Sequence, residues 1–252
     1  FQDVDFGDTY YEIEWIMVLG QKKSGQSYVR QLVLDNLFVD PLDTAENDHH
    51  QSPFAAERRK KVLGNHQISR DEPLSLGHIS ETLKKKTLVL FVTKDPLAWL
   101  VSILERPHHS QRYKKDKATM RSLLRERSKF SHHALSLKHT DFLFEQIKYE
   151  DILREPALFI RRISHKYNFH PRRGSELLIP HHHTGDFIHD DEHIQFYGQA
   201  RRARYRRLGH FDRRDYYLNH EYLDDLDDTL IKYIHHNLIN PKLESSLGYK
   251  HH

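Results

Sequence analysis

The chain has 252 residues, with 39 lysines and arginines against 36 aspartates and glutamates and a formal net charge of +3. That length can bury one substantial core, while the near-balance of charge gives no case for a nucleic-acid partner. Cysteine is absent, which excludes disulfides, cysteine metal ligands and a cysteine nucleophile and fits a reducing compartment.

No run of 18 apolar residues occurs, so no membrane span is expected. The polar, acidic start Phe1 to Asp8 does not read as a signal peptide, although a leader removed upstream stays open. One domain over 1–252 is expected, with 1–12 as an N-terminal extension. Residues 250–252, ending in His251-His252, read as the remnant of a tag.

The first element is an apolar strand over 14–19, running into the turn Gly20-Gln21-Lys22-Lys23-Ser24-Gly25 and then a helix over 27–37. A Gly/Lys/Ser turn between strand and helix is an anion cradle: its backbone N–H groups and the positive end of the helix dipole face an oxyanion. The spacing nearly fits G-x-x-x-x-G-K-[ST], with Gly20, Gly25 and Ser27 in place. Gln26 stands where that motif has lysine, which argues against ATP or GTP hydrolysis, and the loop lysines are Lys22 and Lys23 instead.

A polar loop with Pro41 and Pro53 follows, then a short strand over 61–65 and an irregular stretch over 66–80. Leu88 to Thr93 is a continuous apolar, β-branched run, the pattern of a strand buried on both faces. Lys94-Asp95 ends it, and Pro96 opens a helix over 96–105 with Leu97, Leu100, Val101 and Leu104 at helical spacing. Asp95 is expected to cap that helix. Helical residues over about 114–138, a strand over 142–148, a short acidic turn, and a helix over 156–168 come next. The stretch 171–200 reads as a long loop and 222–236 as a closing helix. Strands alternating with helices imply an α/β fold with a central parallel sheet flanked by helices, whose ligands bind beyond the carboxyl ends of the strands.

Four segments in order carry a family resemblance. Lys23-Ser24-Gly25-Gln26-Ser27-Tyr28 resembles the P-K-S-G-T-T-W loop of the sulfotransferases that use 3′-phosphoadenosine 5′-phosphosulfate (PAPS). Val92-Thr93-Lys94-Asp95-Pro96 through Ser102 is similar to the second signature, V-x-R-N-P-x-D-x-x-V-S, with lysine for arginine and aspartate for asparagine. Tyr149-Glu150-Asp151-Ile152 through Pro156 resembles R-Y-E-D-L-x-x-x-P, and Asp215-Tyr216-Tyr217-Leu218-Asn219 through Leu247-Gly248-Tyr249 looks like the tail of the polysaccharide-type enzymes.

The resemblance implies a P-loop NTPase-like sulfotransferase fold, PAPS as donor, adenosine 3′,5′-bisphosphate as product, and a hydroxyl-bearing acceptor, most simply a glycan; because many lumenal eukaryotic members are disulfide-bonded, it also implies for a chain without cysteine a cytoplasmic enzyme of microbial or viral origin. It places Lys22, Lys23, Ser24, Gly25, Gln26, Ser27 and Tyr28 at the donor's 5′ end and Lys94 with Ser102 at its 3′-phosphate. Tyr149 is expected either against adenine or packed beneath the sheet edge. Sulfuryl transfer builds charge on the leaving oxygen and needs a base for the acceptor hydroxyl. Lys23 is assigned the first task, which removes the need for a metal, and His66 the second, with Asp71 and Glu72 as alternates.

Arg201 to Arg214 holds seven arginines in fourteen positions, suited to a polyanion or to the donor's 3′-phosphate. The 22 histidines include His181-His182-His183 but no H-E-x-x-H helix, so a metal site is not expected. Two further readings stay open: a P-loop kinase or nucleoside triphosphatase, and a non-catalytic polyanion-binding protein on the same fold.

Overall fold

The structure, a computed structural model, describes residues 13–41, 61–63, 81–105, 113–172, 177–178 and 213–249. In chain order its elements are β1 (Trp15–Gly20), α1 (Gln26–Asn36), β2 (Asp40–Pro41), β3 (Lys61–Leu63), α2 (Glu81–Lys85), β4 (Thr87–Thr93), α3 (Pro96–Glu105), α4 (Lys117–Ser136), β5 (Leu143–Lys148), α5 (Tyr149–Arg154), α6 (Pro156–Lys166), α7 (Arg213–Leu218), α8 (Asp228–Asn237) and α9 (Pro241–Ser246). The strands form one sheet in the order β2-β3-β1-β4-β5, with every pairing parallel. Its three long strands are β1, β4 and β5, while β2 and β3 contribute two and three residues. Pro41 sits in the edge strand, where a residue lacking N–H leaves no ladder bond unmade.

β1 and β4 are buried at every position, and their side chains alternate between two apolar layers. Ile16, Val18, Leu88, Leu90 and Val92 pack with α1, α3, α5 and α6 on one face. Trp15, Met17, Leu19, Val89 and Phe91 pack on the other face against Ala134 of α4 and Leu137 just after it, and against Leu243 of α9 and Leu247 just after it. The mixed α/β architecture with helices on both faces of a parallel sheet is thus present. No described helix is long and apolar enough to cross a membrane.

Several expected boundaries shift for local reasons. The acidic turn after β5 is instead the helix α5, which places Glu150 and Asp151 in its first turn, next to the positive end of its dipole. The expected helix over 222–236 is two pieces, a 3-10 turn at Glu221–Asp225 and then α8. The break falls where Leu226 turns extended and Asp227 Oδ1 accepts from the N–H groups of Thr229 and Leu230 at 2.8 and 3.2 Å. β2, which falls in the expected polar loop with Pro41, and α2, α7 and α9 were not anticipated. Most of the expected loop over 171–200 and the end of the short strand, 64–65, lie outside the described residues.

The order 2-3-1-4-5 has a simple consequence. From β1 the chain fills one side of the sheet and then crosses to build β4 on the other, so the crevice at this reversal opens at the carboxyl ends of β1 and β4. Phe91 is 1% exposed in the layer beneath that crevice. Phe91→Ala is expected to lower stability by about 3–5 kcal/mol, read as a drop in denaturant midpoint with little change in slope.

Candidate functional site

The turn after β1 is shaped by left-handed backbone. Lys23 has φ of 70° and Gly25 φ of 99°, both in the region that L side chains avoid. For Lys23 this costs roughly 1–2 kcal/mol, a cost seldom retained without a role for the loop. Gly25 has a second reason to be glycine: a Cβ there would lie 2.1 Å from Cδ2 of Tyr149. Gly25 is also the N-cap of α1 and supplies no side-chain cap, so the helix leaves the N–H groups of Gln26 and Ser27 to some other acceptor.

Two side chains in the turn are buried with polar atoms unmatched. Ser24 and Gln26 are 3% and 6% exposed, and Ser24 Oγ and Gln26 Oε1 have no hydrogen-bond partner in the structure. Both fold back beside Gly20, where a Cβ would meet Ser24 Oγ at 2.4 Å and Gln26 Oε1 at 3.0 Å. Gln26 therefore lies beneath the loop rather than extending as a Walker lysine does. A buried polar atom without a partner is costly; the Ser24 hydroxyl can donate to a ligand oxygen, whereas Gln26 Oε1, itself an acceptor, cannot. The loop is braced from α3, since Trp99 Nε1 donates to the carbonyl of Lys22 at 2.8 Å.

The second element follows β4, and Asp95 does cap α3. Its Oδ1 accepts from the N–H groups of Leu97 and Ala98 at 2.9 and 3.0 Å, which turns the carboxylate toward the helix end. Lys94 and Ser102 meet as their eight-residue interval implied, with Nζ donating to Oγ at 2.7 Å. Ser102 gives its one proton to the carbonyl of Ala98 at 2.8 Å, so the Tyr217 hydroxyl, 2.8 Å away, donates to Ser102 Oγ. The Lys94 amine is 3.5 Å from the ring centroid of Tyr217 and 5.0 Å from that of Tyr149. Lys94 is 4% exposed, so its charge rests in a cage of tyrosine faces and one hydroxyl.

Tyr149 stands between the two elements. Its ring packs on Gly25 and meets Tyr28 and Tyr217 edge-on at 6.2 and 5.6 Å, with 2% exposure. Tyr149 is thus packed against the loop that follows β1.

Beneath Lys94 lies a network of acids and tyrosines. Asp95 N–H donates to Glu150 Oε1 at 3.0 Å, the Tyr249 hydroxyl donates to Glu150 Oε2 at 2.9 Å, and the Tyr222 hydroxyl donates to Asp95 Oδ1 at 3.2 Å. Burial raises the pKa of Glu150, partly offset by the Asp95 N–H bond. Burial also pushes Tyr28, Tyr222 and Tyr249 up, with Asp95 adding to the effect at Tyr222 and Glu150 at Tyr249, so these phenols stay protonated donors. On the far side Arg127 of α4 donates Nη2 to the Lys94 carbonyl at 3.0 Å and pairs with Glu244 of α9 through both carboxylate oxygens.

Lys22 to Tyr28, Lys94, Ser102 and Tyr149 are thus brought to one crevice, whereas His66, Asp71, Glu72 and all but Arg213 and Arg214 of the arginine cluster lie outside the described residues. No group of metal-ligating side chains occurs among the described residues. Trp99, Arg127, Tyr217 and Glu244 were not anticipated. For Arg127 a signal existed: it falls in helical phase with Leu123, Leu124, Ser131 and Ala134, the buried face of α4. Comparisons of the chain with protein-family models, with curated proteins and with solved structures return no match.

Two outcomes follow from the geometry. Gly25→Ala adds a left-handed Ala and a clash with Tyr149, and is expected to lower stability by about 2–4 kcal/mol in chemical denaturation. Glu150 has a pKa above its ordinary 4.5, so the folded state binds its proton more tightly than the unfolded chain. Its contribution is fully present below pH 4.5 and is lost as pH rises through the folded-state pKa. Glu150→Gln should therefore flatten the fall in denaturant midpoint that the parent shows on titration upward from pH 4.5; an unchanged slope would contradict this.

Proposed function

We propose that the protein is a sulfotransferase of the P-loop-like α/β type that moves the sulfuryl group of PAPS to a hydroxyl acceptor. The observation that supports this most is a juxtaposition. Gly20 and Val92 are paired residues on adjacent parallel strands, so the strained Lys23–Gly25 turn and the Lys94–Ser102 couple leave the sheet side by side. Two anion-binding elements on neighbouring strands suit a ligand charged at both ends, and an adenosine carrying separate 5′ and 3′ phosphates is such a ligand. The unmatched Ser24 Oγ, whose hydroxyl can donate to an oxyanion, supports the fit at the first element.

When bound, the donor supplies an electrophilic sulfur and a phosphate leaving group. Lys23 and the N–H groups of Gly25, Gln26 and Ser27 hold negative charge at that leaving oxygen, a task in which fixed donors in a dry site act most strongly. Lys94 holds the other phosphate together with Ser102, whose hydroxyl turns from the Ala98 carbonyl to donate to it, and Tyr149 keeps the two elements in register. Charge neutralisation comes from lysine in this reading. His66 is the proposed base that takes the acceptor proton, its ordinary pKa of about 6.5 being suited to neutral pH. The acceptor is proposed to be a carbohydrate, on the resemblance of the segment from Asp215 to Tyr249 to polysaccharide-type enzymes.

Calorimetry with adenosine 3′,5′-bisphosphate in the absence of magnesium should give a micromolar dissociation constant, about −8 kcal/mol. Silence toward this nucleotide, beside magnesium-dependent binding and turnover of ATP, would establish a kinase or triphosphatase instead. Lys23→Ala should cut sulfuryl transfer by about a hundred- to a thousandfold with an unchanged unfolding midpoint. A parent that binds the nucleotide yet transfers nothing to any glycan would mark a polyanion-binding protein.

A further inference from the structure

The carbonyl of Lys94 belongs to neither of the elements that flank it. β4 ends at Thr93, whose ladder partner is Lys148, and the first backbone bond of α3 runs from Trp99 N–H to the carbonyl of Asp95. The peptide group whose direction sets where the Lys94 side chain leaves the chain therefore needs a donor from elsewhere. That donor is Arg127 Nη2, at 3.0 Å.

Arg127 is itself fixed by tertiary structure. It is 4% exposed and Glu244 2%, and the guanidinium engages both oxygens of that carboxylate, so a planar fork locks its orientation. The neighbouring residues of the same turn have other supports: Thr93 Oγ1 donates to the Ile147 carbonyl at 3.2 Å, and Asp95 N–H is held by Glu150. Lys94 is the residue of the turn whose main chain is addressed by the buried ion pair. A buried pair is a poor device for stability, because two desolvated charges offset much of their attraction. Its geometric effect here is specific, since it ties α4 and α9 to one carbonyl.

We propose that Arg127 is a positioning residue of the phosphate site: through the Lys94 carbonyl it aims the Lys94 amine at Ser102 and at the phosphate that this couple takes. The inference rests on the reading of Lys94 and Ser102 as the subsite for the nucleotide's second phosphate. Arg127 touches no ligand and acts through Lys94 alone, so the effects of removing the two residues are non-additive.

The test compares adenosine 3′,5′-bisphosphate with adenosine 5′-phosphate, which lacks the second phosphate, by calorimetry. In the parent the bisphosphate is expected to bind about ten- to a hundredfold more tightly, the ratio of one charge-assisted contact. Lys94→Met should abolish that ratio. The double variant Arg127→Met/Glu244→Leu removes both buried charges at similar volume, a change that buried pairs commonly tolerate, and it too should abolish the ratio. The triple variant should lose nothing more.

A double variant that folds by circular dichroism and keeps the parental ratio overturns the proposal, as does an additive loss in the triple variant. Should the double variant not fold, Arg127→Lys keeps a charge for Glu244 without the fork and decides by the same ratio. A second readout needs no nucleotide: in the free protein, acetic anhydride should acylate Lys94 several-fold faster in the Arg127→Met/Glu244→Leu and Arg127→Lys variants than in the parent, measured by peptide mass spectrometry. Equal rates overturn the proposal. A parent that fails to distinguish the two nucleotides removes the donor reading, and the acylation rates then decide the positioning role on their own.

Discussion

Parallel hydrogen bonding between β1 and β4, with Trp15 beside Thr87 and Gly20 beside Val92, is the constraint from which the site follows. Adjacent strands lie about 4.8 Å apart, so the segments that leave their carboxyl ends are forced into contact. Trp99 on α3 can then reach the Lys22 carbonyl, and Tyr149 can fill the space that Gly25 leaves by having no side chain. Neither contact is possible unless both strands are buried, and the continuous apolar runs of β1 and β4 ensure that they are.

Around this strand pair the polar groups are arranged in two unlike ways. At the first element the ends are left open: a strained lysine, a helix start without a side-chain cap, and buried Ser24 and Gln26 atoms with no hydrogen-bond partner among the described residues. At the second the groups are matched to one another, with Lys94, Ser102, Tyr217, Asp95, Glu150 and Tyr249 all engaged. An open cradle favours a ligand by relieving unmatched dipoles. A matched cage favours one only if the ligand's charge exceeds what tyrosine faces and a hydroxyl provide, and a phosphate dianion meets that condition. Under the proposed function the two elements contribute differently to selectivity: the loop takes an oxyanion, and the lysine cage discriminates by charge.

The C-terminal segment has a larger part in this than its distance along the chain suggests. Tyr217 from α7 covers the Lys94 amine, Glu244 of α9 orients Arg127, and Tyr249 holds Glu150. Leu243 and Leu247 bury the same segment against the face of the sheet opposite α1 and α3. The turn after β4 is consequently gripped from both layers, which suits a residue that must present its amine in one direction.

The amino-acid pattern alone determined the strands β1, β3, β4 and β5, the loop, the Asp95 cap and the helices α1, α3, α4 and α6. Apolar runs, a Gly/Lys/Ser turn and an Asp-Pro helix start are local signals, and the forces behind them act within a few residues. Asp95 as a cap and Lys94 within reach of Ser102 were legible for that reason, both lying within three turns of one helix. Tertiary structure decided what no short window contains: that Gln26 turns inward, that Tyr217 faces Lys94 from 123 residues away in sequence, and that Arg127 finds Glu244 across 117 positions. Such contacts depend on which elements the sheet order brings together, and that order is set by burial of the whole chain rather than by any segment of it.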